Sequence, residues 1–207
     1  QQSKQPKDRL RSGLQPILMT LADRHRLTSA GLDGLAHLLQ LLTNYFKVEI
    51  GIKLLDHLSA LAEPAMLRRA AAGPLDTHEK LRILTAIVRV FHLLPDTAYQ
   101  FLPRLLVYVA EIESHLRRSG PTPLTDMLTL FLDHFSEHTV RYNFESDGHV
   151  RFTDVLQNPR LFRLLRLALQ SPRGASLRRE LSRRAETLFL PLLSDASNTQ
   201  SVYAALQ

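Results

Sequence analysis

The five residues His134-Phe135-Ser136-Glu137-His138 come nearest to an enzyme's signature. On a helix, this H-x-x-E-H pattern sets two imidazoles four residues apart on one side with a carboxylate beside them, as a zinc hydrolase of the inverzincin type requires. At about 100° per residue His138 falls close to the apolar stripe of Leu128, Phe131 and Phe135, while His134 sits about 60° from Phe131 on the flank. The plainer reading is a partly buried histidine with a hydrogen-bond partner next to a surface histidine. Catalytic zinc also needs a third protein ligand and an open water position. Glu180 and Glu186 lie downstream, but nothing in the sequence places them nearby, so no metal and no cofactor are assigned.

Other routes to catalysis are thinner. Asp56-His57 and Asp133-His134 are adjacent pairs, and neighbours on a helix point away from each other. There is no G-x-S-x-G elbow, no P-loop and no G-x-G-x-x-G. The chain has no Cys, which removes disulfide frameworks, cysteine zinc sites, Fe–S clusters and thiol catalysis together. The expectation is a protein that is not an enzyme.

Charge is the stronger signal. Nine of the 26 basic residues and two of the 20 acidic ones lie between Arg151 and Arg184, a local net of +7; the other 173 residues hold 17 basic and 18 acidic groups. Arg160, Arg163 and Arg166 recur every three residues on one side of a helix whose other side is Leu161, Leu164, Leu165 and Leu169. Arg178-Arg179 and Arg183-Arg184 follow near the next turn. These seven arginines, Arg160, Arg163, Arg166, Arg178, Arg179, Arg183 and Arg184, are the candidate protein-binding residues. Such a surface suits an acidic protein partner or nucleic-acid phosphates. Phe162 is the one aromatic residue interleaved with them and it sits among leucines, which disfavours stacking on single-stranded bases. The structural alternative is a solvated face paired with carboxylates of neighbouring repeats outside this segment.

The elements that must carry these groups are helices. Leu32, Leu35, Leu39, Leu42 and Phe46 mark one helical face over 28–46, with Thr28 or Ser29 as cap. Ile50, Leu54, Leu58 and Leu61 mark the next, closed by Pro64. Thr77 is the expected N-cap of a helix bearing Leu81, Leu84, Val88 and Phe91, which Pro95 ends. Ala98, Leu102, Leu105, Val109, Ile112 and Leu116 follow, with Pro103 tolerable only near the helix start. After the connector Gly120-Pro121-Thr122-Pro123, the residues Leu124, Leu128, Phe131, Phe135 and Tyr142 stay in register as one helix. Asn158-Pro159 opens another that runs to Ser171-Pro172-Arg173-Gly174. Shorter helices near Leu177 and Leu188 finish the ordered part, the last one interrupted at Pro191. No window alternates β-branched with polar residues, so no strand is expected.

Sliding the chain on itself by 52 residues lays Leu38-Leu39-Gln40-Leu41-Leu42 on Val90-Phe91-His92-Leu93-Leu94, and Leu54-Leu55 on Leu106-Val107, with a weaker match from Phe131. Helix, short break, helix, longer connector at this interval is HEAT or armadillo spacing. Leucine makes up 42 of the 207 residues by count, against only 8 Gly, which suits stacked helices and not a turn-rich β fold. The fold class expected is all-α, a HEAT-type α-solenoid of antiparallel helix pairs. Residues 1–207 read as a single array segment, ordered over about 10–193 with a polar tail at 194–207. The opening Gln1-Gln2-Ser3-Lys4-Gln5 lacks an initiator Met and any apolar leader, so the chain reads as an excised segment of a larger one. Apolar runs are all too short to span a membrane. With no sequon and no Cys, a soluble protein of a reducing compartment is the expectation.

The stretch RLTSAGLDGLAHLLQLLTNYFKVEIG (Arg26 to Gly51), then KLLDHL (Lys53 to Leu58), Phe91-His92-Leu93-Leu94-Pro95, LQNPRLFRLL (Leu156 to Leu165), SLRREL (Ser176 to Leu181) and ETLFLPLL (Glu186 to Leu193) come in a telling order. Across most of positions 14 to 193 their succession resembles the HEAT region of the transformation/transcription domain-associated scaffolds. These are very large pseudokinases of the phosphatidylinositol-3-kinase-related kinase family. The resemblance implies a nuclear, non-catalytic piece of α-solenoid in a subunit through which SAGA-type and nucleosome-acetylating coactivator complexes are recruited. The implied partners are the acidic activation segments of transcription activators, sister subunits and neighbouring HEAT repeats of the same chain. Nucleic acid held by the Arg151 to Arg184 segment is the rival partner, and a membrane is not expected. The resemblance carries no catalytic or metal-binding residue over to this chain.

Overall fold

A computed structural model describes residues 16, 19–21, 23–39, 44–94, 96–146, 149–150, 155 and 157–194. Leu42, Pro95, Arg151, Asp154, the side chain of Phe46 and both chain ends fall outside the described residues. The chain divides into two compact units, residues 1–98 and 99–207.

In the first unit, α1 (Ser29–Leu39), α2 (Asn44–Leu61), α3 (Pro64–Ala71) and α4 (Glu79–Val90) follow one another. Thr28 caps α1, its Oγ1 accepting from the Gly31 N–H at 3.0 Å. The spacing that reads as one stripe from Leu32 to Phe46 covers two helices, since Asn44 to Phe46 belong to α2. Pro64 stands at the first position of α3, where its missing N–H costs nothing. The expected cap Thr77 instead closes a 3-10 turn over Leu75–Thr77, and His78 precedes α4 with no side-chain cap bond. Both α1 and α2 pack on α4. Leu32, Leu39, Leu54, Leu55, Leu58, Leu84 and Ile87 are fully buried there, each worth about 1.5–3 kcal/mol of apolar transfer. Arg89 of α4 reaches back to Asp33 of α1.

The second unit holds α5 (Leu102–Leu116), α6 (Pro123–His134), α7 (Ser136–Phe144), α8 (Pro159–Gln170), α9 (Ala175–Arg183) and α10 (Ala185–Ser194). Pro103 is the second residue of α5, as its side chain demands. Thr122 and Thr125 form a reciprocal capping box on α6, and Asn158 caps α8 through the Leu161 N–H. The helix α8 packs on α5 and α6, while α9 packs on α6 and α7. Phe131, Leu132, Val140, Leu164, Leu165, Ala168 and Leu177 fill the space between them.

Three local expectations give way here. First, the stripe from Leu124 to Tyr142 is not one helix: Phe135, at φ −101° and ψ 41°, separates α6 from α7. The Leu132 carbonyl then accepts from the Thr139 hydroxyl at 3.1 Å, which replaces the amide donor lost at the kink and keeps a buried acceptor satisfied. Second, α10 runs through Pro191 to Ser194, because a proline forfeits one i→i−4 bond without ending a helix that neighbouring turns support. Third, a two-residue antiparallel ladder pairs Glu145 with Val150 and Ser146 with His149; it is too short to form a sheet layer, and the fold remains all-α.

Gly174 fixes how α8 turns into α9. A Cβ there would lie 2.1 Å from the Ala168 carbonyl oxygen. Gly174 therefore has no side chain to cap α9, and Asp133 of α6 supplies the acceptor, taking the Leu177 N–H at 2.8 Å. Gly174→Ala is expected to cost about 1–3 kcal/mol, as overpacking does, and to raise amide exchange at both ends of the α8–α9 turn. Exchange unchanged from the parent protein would contradict this.

Candidate functional site

The kink at Phe135 dismantles the zinc-like pattern. His134 is exposed at the end of α6 and meets Phe135 edge-on at 4.6 Å. His138, the third residue of α7, stacks on Tyr99 with ring centroids 3.9 Å apart, a contact with a ring and, among the described residues, not with a hydrogen-bond partner. Glu137, the carboxylate between them, is 3.3 Å from Arg184. Among the described residues no group of three or more His, Cys, Asp or Glu is placed to hold a metal ion.

The seven candidate arginines separate by partner. Arg160, on α8, pairs with Glu111 of α5 at 2.6 Å. Arg163, one turn on, lies 3.5 Å from the Oε2 of Glu113 and donates to the carbonyls of Arg118 and Gly120. Arg178 turns back on α8 and donates to the Leu169 and Ser171 carbonyls at 2.8 and 2.6 Å, which closes the C-terminal end of that helix. Arg183 pairs with Glu180 at 2.7 Å. Arg184 is surrounded by carboxylates: Glu180 at 2.5 Å, Glu145 at 2.9 Å and Glu137 at 3.3 Å. Arg166 and Arg179 are exposed, as is Arg173 in the intervening turn, and none of the three side chains has a polar partner among the described residues.

Electrostatics follow from these contacts. The Arg183 guanidinium, hydrogen-bonded to Glu180, and the Arg184 guanidinium beside it hold the Glu180 carboxyl below the usual carboxylate range. Bonding to Glu145 and Glu180 pushes the Arg184 guanidinium up. Glu113 is different: only 2% of it is exposed, and burial pushes its carboxyl above the usual range although the Thr122 hydroxyl and Arg163 pull the other way. The Thr122 hydroxyl donates to Glu113 Oε1, so the capping box of α6 and the ion pair to α8 share one buried carboxylate.

Glu113 stands at the back of a cleft of about 360 Å³ between the end of α5 and the start of α8. Ala110, Ser114, Ser119 and Pro159 give it small walls, and Arg117, Arg118, Arg160 and Arg163 give it charge. Arg117 holds φ 50°, the left-handed conformation that usually goes to glycine one residue past a helix end.

Counting charge along the sequence missed the acids that matter, namely Glu111, Glu113, Glu137 and Glu145. The separations carry the missing signal. Arg160 lies 49 residues after Glu111, Arg184 lies 47 after Glu137, and the Leu177 amide lies 44 after Asp133. Each interval is close to one repeat, so a search for opposite charges one repeat apart finds the two ion pairs, though not the bond to the Leu177 amide.

The comparisons agree with the repeat. The family described as the Tra1 HEAT repeat ring region matches residues 1–207. The chain is 44% identical over 163 residues to the SAGA complex/NuA4 acetyltransferase complex subunit Tra1 of Schizosaccharomyces pombe, covering 77% of this chain and 4% of that protein. It is 42% identical over 140 residues to the subunit TRA1 of the same two complexes in Saccharomyces cerevisiae, covering 68% and 4%. With the transformation/transcription domain-associated protein of Danio rerio the identity is 25% over 201 residues, 94% of this chain and 5% of that one. The chain thus spans about one twentieth of the relatives it matches. A match that runs the whole length of the sequence, over helices whose repeat already stands out at an offset of 52 residues, makes this chain a member of the Tra1 HEAT repeat ring family.

Proposed function

We propose that residues 1–207 are one stretch of HEAT array in a nuclear transcription coactivator subunit and act there as a non-catalytic docking scaffold for acidic activation segments and sister subunits. The relatives named as SAGA and NuA4 subunits support the setting. The observation that carries the docking role is the set of unpaired cations Arg166, Arg173 and Arg179 around the α8–α9 turn. Arg160, Arg163, Arg178, Arg183 and Arg184 are engaged inside the fold and hold the surface in shape, whereas those three are left to meet a partner. Acidic activation segments are disordered and amphipathic, and such a face attracts them by charge before any apolar contact forms.

The test is the triple variant R166E/R173E/R179E in the full-length protein. Because none of the three is tied to the fold, the variant keeps its structure, and capture by acidic activation peptides falls about tenfold or more, as loss and reversal of several interface charges imply. Undiminished capture by a folded variant overturns the reading. Three free cations are few for tracking a phosphodiester backbone. Binding of duplex DNA with affinity falling steeply as salt rises would transfer the role to nucleic acid.

A further inference from the structure

A hydroxyl side chain followed by proline occurs twice in the sequence, at Thr122-Pro123 and at Ser171-Pro172. Proline pushes the residue before it out of the helical region into extended backbone, and it brings no N–H. An enzyme that holds its substrate as an extended strand, and offers the next residue an apolar slot without an acceptor, selects such a hydroxyl, because any other residue there buries an unsatisfied amide. Serine/threonine kinases of the proline-directed class read this pattern.

The fold separates the two hydroxyls. Thr122 is buried, and its hydroxyl accepts from the Thr125 N–H and donates to Glu113. Ser171 closes α8 in an extended conformation, φ −68° and ψ 141°, half-buried beside the exposed Pro172 and Arg173. Its Oγ accepts from the Arg173 N–H at 3.3 Å and donates to no acceptor among the described residues. Ser176 and Ser182, the nearby serines, lie inside α9 and hold helical backbone. Charge around Ser171 also suits a phosphate. Arg173 is two residues on, at most about 7 Å along the chain, and Arg166 is five residues back, about 8 Å of helix rise; neither side chain has a polar partner among the described residues. The partial negative charge at the end of α8 works against an anion there, and Arg178, bonded to the Leu169 and Ser171 carbonyls, already offsets it.

We propose that Ser171 is a phosphorylation site for a proline-directed kinase, and that its phosphate turns off the docking face of Arg166, Arg173 and Arg179. In the step, Ser171 Oγ attacks the γ-phosphorus of a nucleoside triphosphate held by the kinase. The Oγ–P bond forms, the bond from that phosphorus to the oxygen bridging it to the β-phosphate breaks, the nucleoside diphosphate leaves, and the hydroxyl proton passes to the kinase's base. The phosphate adds close to two negative charges at neutral pH, so a face of three free cations keeps about one positive charge. Acidic segments drawn there by charge lose most of the attraction. The switch rests on the docking reading; the modification itself does not.

The experiment treats the full-length protein and its Ser171→Ala variant with a purified mitogen-activated protein kinase and magnesium ATP. Mass spectrometry reads phosphate at Ser171, and capture by a labelled acidic activation peptide is measured before and after treatment. The parent is expected to take up phosphate at Ser171 and to lose about tenfold in capture. Capture by Ser171→Ala is expected to stay unchanged through the same treatment, which assigns the effect to this one hydroxyl among all that the kinase reaches. A folded parent that gains no phosphate at Ser171 overturns the proposal, and so does an equal fall in parent and variant. Phosphate at Ser171 with capture undiminished, while R166E/R173E/R179E loses capture, overturns the switch and leaves the docking reading standing. Capture undiminished by either change overturns the docking reading and the switch together.

Discussion

Replacing Arg184 by methionine is expected to lower the local stability of α7, α9 and α10 by about 2–3 kcal/mol, since hydrogen bonds to charged groups carry the largest net weight. The guanidinium is 17% exposed and joins Glu137, Glu145 and Glu180, residues from α7, the strand that follows it and α9. Without it three carboxylates repel one another around a gap. The loss depends on pH with a definite sign. Glu180 is held low chiefly by its bond from Arg183 and then by Arg184, so the stability it lends is present above the ordinary carboxylate pKa and is lost as pH falls through its depressed folded value. The gap between parent and variant is therefore widest near neutral pH and narrows in acid. Amide exchange in α7 and α9 measured across pH 3–7 checks this. A gap that holds constant into acid would rule out the charge cluster as the cause.

Arg163→Met is expected to be at least as damaging, about 3 kcal/mol at neutral pH, because it strands a buried carboxylate. Glu113 already sits above its usual range, with burial as the leading cause. The folded state thus holds its proton longer than the unfolded state does. Stability from this group is fully present below the ordinary carboxylate pKa and is lost as pH rises through the folded value. Removing Arg163 removes an opposing pull, raises that value further and deepens the loss at neutral pH. The double variant R163M/E113Q is expected to abolish the slope and regain much of the stability, since a neutral amide still accepts from Thr122. A double-mutant cycle followed by exchange of α5 and α8 amides reads both effects, and identical pH slopes for R163M and R163M/E113Q would refute the coupling.

Much of this fold could be read along the chain, and the failures have physical causes. The stripes over Leu81 to Phe91 and Ala98 to Leu116 were legible because every fourth or third position is buried on one side. The caps Thr28 and Asn158 were legible because an unpaired N–H needs a nearby oxygen. Helix continuity was not. Leucines three and four apart continue in register across the change from α1 to α2 and across Phe135, since apolar spacing registers a face and not an unbroken backbone. The group that repairs the Phe135 kink is the Thr139 hydroxyl, donating to the Leu132 carbonyl, and along the sequence Thr139 looks like any helix residue. Charge was half legible. The arginines stand out as a block, but their acids are spread over residues 111–145, so a count along the chain shows an excess that the folded surface largely cancels. Asp133 shows the same limit: beside His134 it suggests a dyad, and in space it takes an amide 44 residues away in the first turn of α9.

The ties between groups one repeat apart also bear on how such a chain can change over generations. Duplicating or deleting one helix pair here would slide Arg160, Arg163 and Arg184 opposite strangers, stranding a buried acid at one junction and crowding like charges at another. Each junction carries its own lock and key, so growth or shortening of this stretch by whole modules requires matching substitutions on both sides of the seam, while single changes on the solvent side stay free.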